Sequence, residues 1–203
     1  MFAVGAALLF QSAPQLVSAT NPAPQAVPAP APAQHVHTAS AETPAGTPRL
    51  TGIDVRQELD VPHWLGPGEY VWAGETAPAE GETIVVVNLR ARVLSVYRAG
   101  VEIGRSSLIY GADNKPTPTG SFPILQKRAD HWSNLYDAPM PHMLRLTWDG
   151  VAVHGSPALA DDMATRGCVG LPRDFARLLF DVVNVGDRVV IWDGETALDV
   201  SQA

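Results

Sequence analysis

Apolar positions in this 203-residue chain recur mostly at the two-residue spacing of strands, not at the 3.6-residue spacing of helices. Residues 83–89 (TIVVVNL) are nearly all β-branched and predict a buried strand. Residues 93–98 alternate, with Val93, Ser95 and Tyr97 on one side and Leu94, Val96 and Arg98 on the other. Ala99-Gly100 is a tight turn into a further strand over 101–110, which makes a meander. The stretch Lys115-Pro116-Thr117-Pro118-Thr119-Gly120 reads as a rigid loop, followed by a strand from 121 to about 127. Strands at 143–148 and 151–154 flank Asp149-Gly150, a strong hairpin signal.

Only one segment has a convincing helical period. Behind Pro172, which suits a first helical position, Phe175, Leu178, Leu179 and Val182 fall at i, i+3, i+4 and i+7. Asn184 to Gly186 stops this helix, and 188–192 forms a last strand. A second, short helix is expected near 159–164. The pattern predicts a mostly β, β-rich α+β domain with one principal helix.

Composition changes the picture at the N-terminus. The chain has 14 Lys+Arg and 21 Asp+Glu, a net charge of −7, yet Glu42 is the one charged side chain before residue 49. Eight of the 18 prolines also lie there, and such a segment buries too little apolar surface to offset the entropy of ordering it. Residues 1–19 carry an apolar run (2–10) and small residues at Val17-Ser18-Ala19, the pattern of an export signal, though without its basic leader. Residues 20–48 read as an extended Pro/Ala linker in which His35 and His37 are solvated. The foldable remainder divides into a pre-domain segment (49–82) packing on the core through His63-Trp64, a main domain (83–193) and a tail (194–203). An acidic domain without a Lys/Arg run lacks the electrostatic footprint of a nucleic-acid binder. One cysteine excludes an intramolecular disulfide and a thiolate metal cluster.

That cysteine, Cys168, lies in Thr165-Arg166-Gly167-Cys168-Val169-Gly170-Leu171-Pro172, just ahead of the helix. The helix dipole, Arg166 and Arg173 would favour its thiolate, and amides near Gly167 and Cys168 could cradle an oxyanion. A small buried hydrophobe is the competing reading. His154, fourteen positions earlier, ends the 151–154 strand and is followed by Gly155-Ser156-Pro157. Acyl transfer by cysteine needs such a base within reach, oriented by a third group.

Three segments together resemble the L,D-transpeptidase catalytic domain of the YkuD family: Thr117-Pro118-Thr119-Gly120-Ser121-Phe122, then residues 143–155 (MLRLTWDGVAVHG), then residues 165–172 (TRGCVGLP). The resemblance implies an L,D-transpeptidase-like β-sandwich with its principal helix after the cysteine loop. Cys168 would be the nucleophile and His154 its base, with the Gly155 backbone orienting the imidazole and Gly167 and Cys168 amides at the oxyanion. Thr165, Arg166, Arg173, Trp132 and Tyr136 would contact substrate. The implied reaction acylates the cysteine with a peptidoglycan stem tetrapeptide, expels D-alanine and passes the acyl group to a stem amine or a wall-anchored protein lysine. No metal or organic cofactor is implied; carbapenem-type inhibitors are, as is a monomer exported to the periplasm or cell envelope.

Two positions depart from the family pattern: Arg166 stands where a histidine is usual, and Gly170 where arginine or asparagine is common. Arginine cannot act as a base. Water as acceptor would make the protein a carboxypeptidase or a hydrolase, and a decayed site would leave a wall-binding module. The aromatic loop around His131-Trp132 and Tyr136 is either a lid or ordinary packing. His142 reads as a loop residue and Asp161-Asp162 as a solvated pair.

Overall fold

The structure, a computed structural model, describes residues 50–61, 64–134 and 137–199. The signal-like segment 1–19 and the linker 20–48, with His35 and His37, lie outside the described residues, as do His63, Tyr136 and residues 200–203.

In chain order the strands are β1 (Leu50–Thr51), β2 (Tyr70–Trp72), β3 (Thr83–Asn88), β4 (Val93–Arg98), β5 (Val101–Ser107), β6 (Gly120–Pro123) and β7 (Gln126–Arg128). They continue as β8 (Trp132–Ser133), β9 (Ala138–Pro139), β10 (Met143–Arg145), β11 (Ala152–Ser156), β12 (Val169–Pro172), β13 (Arg188–Trp192) and β14 (Leu198–Asp199). One α-helix among the described residues, α1 (Arg173–Val182), joins β12 to β13. A six-stranded sheet has the order β2-β5-β4-β3-β13-β6 and a four-stranded sheet the order β12-β11-β10-β7. The short pairs β8-β9 and β1-β14 stand apart from both.

The two large sheets share one core. Val85, Val87, Leu94, Val96 and Ile191 from one meet Leu144, Val153, Val169 and Leu171 from the other, and α1 adds Phe175, Ala176 and Leu179. The β-rich fold expected from the pattern is therefore what forms. The unbroken apolar run of β3 has a simple cause: its alternate residues Ile84 and Val86 also pack, with Val190 and Ile53, on the sheet's other face. Residues 53–59 run along the edge of that sheet, with Arg56 N–H bonded to Gly100 O (2.8 Å) and Glu102 N–H to Gln57 O (2.8 Å). Beneath them Arg105 makes a bidentate pair with buried Glu102 (2.8 and 2.6 Å), whose carboxylate also accepts Leu59 N–H (2.9 Å).

Several local expectations need correction. The strand expected over 121–127 is two strands in different sheets. Ile124 N–H bonds to Asp187 O and Leu125 N–H to Arg145 O, so the chain changes sheet between them. The strand from Val101 stops at Ser107, because Ile109 leaves the six-stranded sheet to pair with Gly170. The ladder of β10 ends at Arg145, where the amides of Leu146 and Thr147 both turn to Val151 O. Residues 159–164 form a turn at Asp161-Asp162 instead of a helix, held by Arg92 on the Asp161 carbonyl (3.0 Å) and carboxylate (3.7 Å). Trp64 is 70% exposed and does not enter the core.

Candidate active site

β11 and β12 run parallel, with Val153 opposite Val169 and His154 opposite Gly170. Paired residues share a face, and faces alternate along each strand. Val153, Val169 and Leu171 point into the core, so His154 and Gly170 face outward. One residue earlier, Ala152 and Cys168 occupy that same outward face. Arg145 lies opposite Ala152, and Gln126 opposite Arg145. The outer face thus carries the rung Gln126–Arg145–Ala152, with Cys168 packed against Ala152 just before β12, and next to it the pairs Arg128–Met143 and His154–Gly170. Cys168 and His154 are diagonal neighbours across the β11–β12 pair.

The register corrects two sequence expectations. His154 does not end its strand, because β11 continues through Gly155 and Ser156, opposite Leu171 and Pro172. Nor does Cys168 stand at the helix terminus. The four residues of β12 intervene, and Pro172 is the cap of α1 instead of its first residue. The helix dipole therefore does not act on the thiol, since its effect fades within a turn.

What surrounds Cys168 favours its neutral form. It packs with Met140, Met143 and Ala152, and burial pushes its pKa up. The Ala152 amide, Lys115 and Arg145 oppose that rise. The thiol donates to Gly150 O at 3.6 Å. Its own carbonyl is braced by two hydroxyls, Thr165 Oγ1 at 2.5 Å and Thr117 Oγ1 at 3.3 Å. Thr117 also accepts Gly111 N–H (2.9 Å), so the loop read as rigid buttresses the cysteine loop. Gly167, at φ +100°, makes the sharp turn that presents the thiol, a conformation that disfavours any side chain.

His154 is half-buried, and its Nδ1 lies 2.9 Å from Gly155 O. A carbonyl accepts only, so Nδ1 carries the proton and Nε2 holds a free lone pair. Burial lowers the pKa of this imidazole; the Gly155 carbonyl opposes that, and His131 adds to it. Both shifts favour the uncharged forms, so the pair is set for proton transfer from thiol to imidazole.

Of the other sequence candidates, Trp132 opens the β8–β9 hairpin, 54% exposed, with Nε1 donating to Asp137 Oδ1 (2.9 Å). Arg166 and Arg173 are exposed, and the cations acting on the thiol are Lys115 and Arg145 instead. His142 packs against Phe180 of α1 (5.7 Å), away from the outer rungs. Asp161 and Asp162 are exposed, as the sequence reading had them, and the Asp161 carboxylate also lies 3.7 Å from Arg92. Sequence reading missed Arg145, Thr117 as a brace, and His131 beside His154. The alternation of MLRLT could have found Arg145 once its strand was placed beside the 151–154 strand. Among the described residues no group of three or more His, Cys, Asp or Glu is arranged to hold a metal ion.

Residues 82–191 match the model of the YkuD family, the L,D-transpeptidase catalytic domain. The chain belongs to this family. L,D-transpeptidase 1 of Mycobacterium tuberculosis is 29% identical over 153 residues, covering 64% of this chain and 61% of that protein. The chain thus spans less than two thirds of that relative's length. A solved L,D-transpeptidase from Mycobacterium smegmatis aligns at TM-score 0.52 and 27% identity over 55% of this chain and 58% of its own. An L,D-transpeptidase in complex with imipenem aligns at TM-score 0.52 and 27% identity over 54% and 58%. Against the L,D-transpeptidase pattern, Gly170 has a packing reason: a Cβ there would lie 2.7 Å from Ile109 Cγ1, so the side chain common in the family has no room.

Proposed function

We propose that this chain is a cysteine L,D-transpeptidase acting on peptidoglycan stem peptides. The observation that carries the reading is the β11–β12 register, which sets Cys168 and a tautomer-fixed His154 diagonally on one outward face. In the proposed cycle the thiol turns from Gly150 O to His154, and Nε2 takes its proton as Sγ attacks the carbonyl ahead of the terminal D-alanine. Amides at Gly167 and Cys168 receive the oxyanion. The C–N bond breaks, the imidazolium returns its proton to the departing amine, and a thioester remains on Cys168. An amine from a second stem, or from a wall-anchored protein, then attacks the thioester; His154 takes the amine's proton and hands it back to the thiolate as the amide forms. The cycle balances without metal or organic cofactor.

Thr165, through its brace on the Cys168 carbonyl, supports the oxyanion loop, and Trp132 supplies an aromatic wall on the hairpin next to Met140. Arg166, Arg173 and Tyr136 remain substrate contacts of this reading on the strength of the sequence motif. The apolar run and small residues of 1–19 support export to the periplasm or cell envelope. The imipenem complex of a relative supports acylation of Cys168 by carbapenems. The protein is taken to act as a monomer. Mass spectrometry of the protein with disaccharide-tetrapeptide tests the whole reading. Loss of D-alanine with a cross-linked dimer is expected, and tripeptide alone would mean that water is the acceptor. No acyl-enzyme and no product would overturn it.

A further inference from the structure

Arg145 pairs with Ala152, and Ala152 in turn packs against Cys168 just before β12. Adjacent strands are about 4.8 Å apart, so the backbones of Arg145 and Cys168 lie about 10 Å apart, and an extended arginine spans most of that. Ala152 contributes a single methyl, which is buried with Met140 and Met143 against Cys168, so Met140 is the side chain a ligand would displace to reach across it. Arg128 sits on the next rung, opposite Met143.

Both guanidiniums are unusual in one respect. The chain has more carboxylates than cations, yet the ion pairs of the described residues engage other arginines, and neither Arg145 nor Arg128 joins one. The hydrogen bond of Arg145 goes to a neutral amide, Gln126 Oε1, at 3.4 Å. Two cations without a carboxylate, one of them half-buried beside the thiol, form a receptor for an anion brought by substrate. Their field reaches the site: both lower the pKa of His131, after its burial, and Arg145 lowers that of Cys168.

We propose that Arg145, flanked by Arg128, holds a carboxylate of the donor peptide across Ala152 from the thiol. It rests on the transpeptidase reading for the identity of the donor. The C-terminal carboxyl carbon of the leaving residue is three bonds from the scissile carbonyl carbon. A carbonyl seated at Sγ therefore keeps that carboxylate within reach of a side chain extending from Arg145. A side-chain carboxylate of the stem offers the same chemistry.

Calorimetric titration of the full-length Cys168→Ala protein separates binding from chemistry. Three probes are used: the stem tetrapeptide as free acid, the same peptide amidated at its C-terminus, and the same peptide amidated at its side-chain carboxyl. One amide is expected to bind about tenfold to a hundredfold more weakly than the free acid, the loss of a charge-assisted hydrogen bond. The amide that weakens identifies the carboxylate. Adding Arg145→Gln should make that amide and the free acid bind alike, while Arg145→Lys should restore part of the preference. Equal binding of all three peptides, no measurable binding of the free acid, or a preference that survives Arg145→Gln would overturn the proposal. Because Cys168→Ala performs no acyl transfer, these outcomes are independent of whether the wild-type protein forms an acyl-enzyme.

Discussion

Along β11 and β12 a single pair of strands presents two surfaces. Inward, Val153, Val169 and Leu171 are fully enclosed by the core between the sheets. Outward, the same strands carry Ala152, His154 and Gly170, with Cys168 immediately before β12, two small residues set among two reactive ones. The inner side chains hold the backbone still. The outer ones exploit that stillness: His154 is held in the ladder, and the turn that carries Cys168 is braced by Thr117 and Thr165. Stability and chemistry are thus separated by one residue of register, and each face can be perturbed while the other is watched.

The largest effect should come from the outer face. Cys168→Ala should abolish donor turnover, a loss on the order of 10⁶-fold as for removing the nucleophile of an acyl-transfer site. Its melting temperature should stay close to that of the wild type, and a large drop would mean that Cys168 is chiefly a packing residue. His154→Ala should slow acylation by about 10²–10⁴-fold, read by intact-mass kinetics with a carbapenem. An unchanged rate would remove His154 from the chemistry.

The inner face should answer in the opposite way. Leu171→Ala should cost about 2–5 kcal/mol in urea unfolding, while acylation per folded molecule is retained. Gly170→Ala tests the boundary between the two, since it faces outward but touches Ile109. It should cost about 1–3 kcal/mol through overpacking, with an acylation rate little changed. A selective loss of rate would make Gly170 part of the substrate site.

The smallest effect is a shift of pH limbs. The base-competent form of His154 is the neutral one, and burial lowers its pKa. Turnover should therefore persist below the ordinary imidazole value of 6.5 and fall only as pH drops through the lowered one. The rate of Cys168 alkylation by iodoacetamide should keep rising beyond the ordinary thiol range, since burial raises that pKa. Alkylation that levels off below neutrality would reveal a standing thiolate and contradict the neutral pair.

Much of this fold was legible from alternation. The strands at 83–88, 93–98 and 188–192 and the helix from Phe175 to Val182 follow directly from periodicity, because each buries a continuous face. The errors fall where a segment answers to neighbours distant in sequence. The break between β6 and β7 depends on Asp187 and Arg145, and the turn at Asp161-Asp162 on Arg92. The helix-dipole expectation failed for a related reason. Proximity in sequence to a helix suggested a dipole, but β12 separates the two and Met140 and Met143 supply a dry environment.

By itself the sequence determined the presence of a β-rich domain, the residues able to do acyl-transfer chemistry and their order along the chain. These rest on local quantities: side-chain type, period and turn chemistry. Only the tertiary structure decided that Cys168 and His154 share a face, that the thiol is buried, and that Arg145 pairs with the Ala152 packed against it. Register and burial are set by which strands pair, and pairing is a choice made by the whole core, which no short window of sequence contains.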